Sequence, residues 1–244
     1  MSKKNWKDYL LSSGIPLEHS VIRIFEKLGI FRPIEFRYER NIETGVRKIF
    51  SVDVYTTYLD EKRNLWIEIL VECKYRNDKT KWIFMPAEYG ESLRPDFSSL
   101  FVTLDEAVVE RSFKRNDSIY FKRMYPLCEK GIEILPKDIN PQSINHAISQ
   151  LRYAIPNLAA TALRHQAEDA LGKPEPIFVI LPIIVTTAEI WRLYPDVTIE
   201  TLRDSEDLKE VASLHDIVLL HEEPDNLVSR LKSSVNDIGN IKYL

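Results

Sequence analysis

A chain of 244 residues with 44% hydrophobic and 29% charged residues has the balance of a globular protein and room for one large domain. The formal charge of −4 argues against a protein that coats nucleic acid nonspecifically, but it is uneven: residues 1–130 hold 23 Lys and Arg against 20 Asp and Glu (net +3), residues 131–244 hold 10 against 17 (net −7). No apolar run reaches the roughly 18–20 residues that span a bilayer, and the start MSKKNWKDYLLSSG is too polar for a signal peptide, so a cytoplasmic protein with no membrane partner is expected.

The two cysteines, Cys73 and Cys128, have no zinc-site spacing and read as reduced core thiols. Residues 15–29 put Leu17, Val21, Ile24, Phe25 and Leu28 at helical spacing, with Ser13 as the expected N-cap, Pro16 in the first turn and Gly29 as the stop. Three extended runs follow, 33–40, 46–59 and 64–76, rich in β-branched and aromatic residues. The turn formers Asn41 to Gly45 and Asp60 to Asn64 separate them, so an antiparallel meander is expected.

Residues 83–138 mix short apolar runs with prolines and a basic-aromatic stretch, and read as an insertion that is part helix and part hairpin. A helix is predicted over 141–171, with Ile144, Ile148, Leu151, Ala154 and Leu158 on one side and Pro156 kinking or splitting it. The run PIFVILPIIVTTA (176–188) reads as a strand buried on both faces, HDIVLLHE as one more strand, and 225–237 as a short amphipathic helix. The pattern is that of a single α/β domain spanning 1–244, with the insertion 83–138 and a C-terminal extension 189–244.

In the third run, alternation puts Ile67, Ile69, Val71, Cys73 and Tyr75 on one face, and Glu68, Leu70, Glu72, Lys74 and Arg76 on the other. In the second, Val52 and Val54 share one face while Ile49, Ser51, Asp53 and Tyr55 share the opposite one. A carboxylate between two valines of a central strand is costly unless its desolvation is compensated, and a divalent cation would do so. Two carboxylates, Asp53 and Glu72, with a lysine beside them, suit phosphodiester hydrolysis. Mg²⁺ takes oxygen ligands and keeps several waters, so few protein ligands suffice. The ion polarises the phosphoryl group and acidifies water, and Lys74 can orient that water or stabilise charge on phosphorus.

The array Glu18, Asp53 and Glu72-Cys73-Lys74 resembles the PD-(D/E)XK superfamily of restriction-endonuclease-like nucleases. GIPLEHSVIRIFEKLG (14–29) looks like the first helix of its Mrr-like branch, SVDVY like the aspartate strand and VECKYR like the (D/E)-X-K strand. The residue before Asp53 is Val52 rather than proline, so the name-giving dipeptide is absent. The resemblance covers 14–76, and 141–188 more loosely through a helix with Gln150. It implies an α-β-β-β-α-β core: a central mixed sheet flanked by helices. It implies Mg²⁺ or Mn²⁺ on Asp53 and Glu72, the Cys73 carbonyl as a further ligand, Glu18 joining the metal site and Lys74 on the water side.

The expected activity is therefore that of a Mg²⁺-dependent nuclease acting on DNA, in prokaryotic restriction or defence, as a homodimer or a partner subunit. Gln150 and Arg76 are candidates to meet nucleic acid, as are Lys114, Arg115, Lys122 and Arg123, interleaved with Phe113, Tyr120 and Phe121. The blander alternatives are a cross-strand ion-pair cluster at Asp53, Glu72 and Lys74, and a first-turn acid favoured by the helix dipole at Glu18. Two further readings compete: a catalytically inert nuclease-fold module that binds nucleic acid or a partner protein, and a homo-oligomer whose acidic C-terminal half docks on its basic N-terminal half.

Overall fold

The computed structural model describes residues 5–30, 33–41, 45–63, 65–87, 102–103, 125–136, 138–140, 142–169 and 177–220. It opens on a helix that no periodicity announced, α1 (Trp6–Ser12), started by a reciprocal cap in which Asn5 accepts from the Lys7 and Asp8 N–H groups and Asp8 accepts from Asn5 N–H. Because α1 ends there, Ser13 closes it instead of capping the next helix. α2 (Ile15–Lys27) starts on Gly14, at φ +83° with no side-chain cap, and stops before Gly29 at φ +68°. α2 also sits rotated from the predicted stripe. Leu17, Val21, Ile22 and Phe25 pack inward, whereas Ile24 and Leu28 are exposed.

The meander forms as expected. β1 (Ile34–Asn41), β2 (Arg47–Asp60) and β3 (Leu65–Lys74) are successively antiparallel. After β4 (Lys81–Pro86), β5 (Val102–Thr103), β6 (Leu127–Leu135) and β7 (Asp138–Asn140), helix α3 (Ser143–Asp169) leads back to β8 (Ile177–Thr186), which lies parallel to β3. The first sheet thus has the order β1-β2-β3-β8-β5 and is mixed. β9 (Glu189–Leu193), helix α4 (Ile199–Asp204), β10 (Ala212–His215) and β11 (Leu219–Leu220) complete the described chain. β10-β9-β4-β6-β11 form a second sheet, with β7 on β6. The segments read as an insertion and as a C-terminal extension therefore meet in one sheet, and the fold is mixed α/β with two mixed sheets. The run HDIVLLHE is not one strand, since β10 ends at His215 and β11 starts at Leu219. The helix expected over 225–237 lies outside the described residues.

Both faces of β3 are covered, not only the apolar one. Val54, Ile69, Val71 and Cys73 pack on Val21 of α2, while Tyr38, Val52, Leu70 and Ile180 pack on Leu151, Ala154, Ile155 and Leu158 of α3. Pro156 neither splits nor ends α3; the helix runs through it, held by buried neighbours on either side. The early residues Ile144 and Ile148 of α3 pack on the second sheet beside Trp82 and Phe84, so one helix serves both cores. β8 is not buried on both faces along its length. Val179 and Ile180 are buried, but Pro182 is exposed, beyond the two pairs that β5 makes with β8. Leu158 is 1% exposed, and Leu158→Ala should lower the unfolding free energy by about 2–5 kcal/mol, read as a lower urea midpoint at unchanged slope. Among the described residues no helix is long and apolar enough to cross a membrane. Cys73 and Cys128 are both buried and free.

Candidate active site

β1 and β2 lose register by one residue: Ile34 faces Tyr55, but Phe36 faces Val52, so β2 carries an extra residue at Asp53–Val54. This bulge overturns the simple alternation expected from the sequence. Val52 points to the α3 side with Leu70, and Val54 to the α2 side with Ile69 and Val71. The regular β2–β3 ladder runs from Asp60↔Leu65 to Val54↔Val71. Beyond it, Asp53 Oδ2 accepts the Cys73 N–H at 2.7 Å, so the aspartate meets β3 at its backbone.

Glu72 lies on the α3 side of β3 and is 1% exposed. Its Oε1 pairs with Lys74 Nζ, which also donates to Gln150 Oε1 of α3 at 2.9 Å. Tyr38 Oη donates to the Gln150 carbonyl at 3.2 Å, which seats that turn of the helix on β1. Glu72 Oε2 is buried and has no hydrogen-bond partner among the described residues. Such an orphan ordinarily costs about 1–3 kcal/mol.

The acids feel one another. Burial pushes Glu72 up most; the Lys74 hydrogen bond pulls it down, the charges of Asp53 and Glu18 push it up, and it reaches about 7. Burial also raises Asp53, against the Cys73 N–H and Lys74, with the charge of Glu35 adding to the rise. Glu18 is raised by burial first, then by Asp53 and Glu35. Glu35, on β1 opposite the bulge, is the acid that sequence reading missed. Hydrogen bonds from Arg37 and Ser51 keep it ionised below the usual carboxylate range. Only the strand register could have flagged it, and the bulge hides that register from the sequence. The Glu18 carboxylate folds back over the start of α2, where a Cβ on Gly14 would stand 3.3 Å from its Oε1.

Asp53, Glu72, Lys74 and Gln150 are thus brought together, with Glu18 and Glu35 near enough to perturb them. Burial pushes the Cys73 thiol up to about 12, so its sulfur stays protonated within the α2-side core and only its carbonyl suits a hard cation. Among the described residues, no three His, Cys, Asp or Glu side chains converge on a ready-made cation cage. Arg76 is turned away from solvent and pairs with Glu133. Lys114, Arg115, Lys122 and Arg123 lie outside the described residues, as do Phe113, Tyr120 and Phe121. His19, beside Glu18 in α2, is exposed. No model of a known protein family matches the chain, and neither a curated protein nor a solved structure does.

Proposed function

We propose that this chain is a metal-dependent nuclease that hydrolyses phosphodiester bonds, acting on DNA, with a restriction-endonuclease-like core. The observation that carries the reading is the buried Glu72 Oε2, without a hydrogen-bond partner among the described residues, on a carboxyl that feels the charge of Asp53 and pairs through its other oxygen with Lys74. A nearly dry carboxylate oxygen with no donor is the kind of group a divalent cation satisfies. The donor set fits Mg²⁺ or Mn²⁺: hard oxygens from Asp53, Glu72 and the Cys73 carbonyl, with Glu18 in support and room in such a scheme for waters. The finer reading of the fold is supported by the order α2, β1, β2, β3, α3, β8, an antiparallel meander and then a parallel return.

When bound, the ion supplies Lewis-acid polarisation of the phosphoryl group and acidifies water. The chain's own residues do the rest. The Asp53 carboxylate is oriented by the Cys73 N–H. Lys74, held between Glu72 and Gln150, presents an ammonium that can orient the nucleophilic water and balance charge at phosphorus. Restriction or defence remains the natural setting for such an enzyme, by analogy alone.

Two observations favour a second reading, an inert nuclease-fold module: Lys74 already pairs with Glu72, and no three-acid cage stands preformed among the described residues. Cleavage of plasmid, linear and single-stranded DNA in Mg²⁺ or Mn²⁺ decides between them. Wild type should cut, and Asp53→Ala should lose about a thousandfold or more in rate. Equal rates for the two would reject the site, and calorimetry showing no Mn²⁺ binding to wild type would favour the inert module.

A further inference from the structure

The strand that carries Glu72 and Lys74 leads directly into a second buried polar network, which the proposed chemistry does not use. Glu133 of β6 is 2% exposed. It accepts from Arg76 Nε, from Trp82 Nε1 at 2.8 Å and from Ser143 Oγ at 2.9 Å. Arg76 also donates to Ser143 Oγ and to the Tyr75 carbonyl at 2.7 Å, and its guanidinium carbon lies 6.0 Å from the Trp82 ring centre. Its main chain is clasped too: the Arg76 N–H donates to Thr187 Oγ1 at 2.6 Å, and that hydroxyl donates back to the Arg76 carbonyl at 2.8 Å. Burial alone would push Glu133 up, but the hydrogen bonds from Arg76, Trp82 and Ser143 outweigh it and hold the carboxyl below its ordinary range.

The network's place in the chain gives it meaning. Arg76 stands two residues beyond Lys74. Ser143 opens α3, seven residues before Gln150, or about two helical turns. One end of the β3–α3 contact is therefore pinned by Arg76, Glu133 and Ser143, and the other is the Lys74–Gln150 hydrogen bond. A guanidinium fork committed to a buried carboxylate and a hydroxyl is poorly placed to bind a phosphate, but well suited to fixing strand and helix in one relative position.

We infer that Arg76 is a positioning residue, which with Glu133 and Ser143 locks the end of β3 against the start of α3 so that Lys74 meets Glu72 and Gln150. The inference rests on the nuclease reading for what the site does. It also gives the second sheet a role, because that sheet supplies the carboxylate that holds the first sheet's reactive strand.

The test uses the full chain, with steady-state cleavage of duplex DNA in Mn²⁺ and amide hydrogen exchange on the same samples. Glu133→Gln is nearly isosteric, and Arg76→Lys retains the charge a phosphate would need while losing the fork. Both should lower kcat by about ten- to a hundredfold. KM and the salt dependence of DNA binding should stay at wild-type values. Exchange should quicken at 72–76 and 143–150 in both variants. A raised KM and a changed salt dependence in Arg76→Lys, with Glu133→Gln cutting at the wild-type rate, would make Arg76 a substrate contact and overturn the inference. Unchanged exchange at 143–150 in both variants would overturn it as well. Failure of wild type to cut under any condition would strike the nuclease reading instead, and the exchange data would still decide whether the network sets strand against helix.

Discussion

Glu72→Gln should abolish metal-dependent cleavage and at the same time make the metal-free protein more stable at neutral and alkaline pH. The reason is one buried oxygen atom. In the folded chain the Glu72 carboxyl reaches about 7, against a reference value of 4.5. Its folded form therefore holds a proton more tightly than its unfolded form. The stability this contributes is fully present below about pH 4.5 and is lost as the pH rises through about 7. The loss is on the order of 3 kcal/mol, since each tenfold change in proton affinity is worth about 1.4 kcal/mol. Glutamine keeps the shape, needs no proton and escapes that loss. The melting temperatures of wild type and Glu72→Gln should thus coincide near pH 4.5 and diverge by pH 8, with the variant higher. Mn²⁺ should raise the melting temperature of wild type at pH 8 and leave that of the variant unmoved. Parallel melting profiles across this range, with the same Mn²⁺ response in both proteins, would remove Glu72 from the metal site. The activity loss should reach about a thousandfold, the several kcal/mol that an ion's charge contributes at a phosphoryl group.

Gly131→Ala should be among the most destabilising single substitutions in the molecule, although it adds one methyl group. A Cβ there would stand 2.4 and 2.6 Å from two carbons of the Phe84 ring and 2.8 Å from Ile144 Cδ1. Phe84 and Ile144 are 1% exposed, so neither can swing into solvent to make room. Gly131 is needed because β6 passes directly beneath the Phe84 ring, not because of its backbone angles. The cost should be about 3 kcal/mol or more, at the upper end for overpacking, and should lower the melting temperature by roughly 6–12 °C in a chain of this size. Phe84→Leu in the same background removes part of the ring, and should recover some of the loss. A melting temperature within a degree of wild type for Gly131→Ala would mean that β6 is free to shift away from α3.

The grouping of Glu72 with Lys74 was legible because it is local in sequence. Glu72 and Lys74 are two residues apart on a strand, so they had to share a face, and Lys74 bonds both Glu72 and Gln150 on the α3 side. The meander was legible for the same reason, since its turns are short and its strands alternate. Asp53 was singled out for a partly mistaken reason. Regular alternation would have set it opposite both flanking valines, whereas the bulge separates Val52 from Val54 and turns Asp53 to the Cys73 N–H. Ser13 was misassigned because the capping box Asn5–Asp8 starts a helix that ends on it. Ile24 and Leu28 fit a stripe that α2, lying on the first sheet through Leu17, Val21, Ile22 and Phe25, does not use.

The sequence by itself determined the three strands of the meander with their turns, helices α2 and α3, strand β8, and that Glu72 and Lys74 share a face, because periodicity and turn chemistry act over a few residues. Tertiary structure alone decided that residues on both sides of α3 build one second sheet, that Glu35 stands across from the bulge, and that Arg76 turns inward to Glu133, 57 positions away. Those outcomes depend on strand register and on which buried charge finds which partner, and both are settled by packing between distant segments.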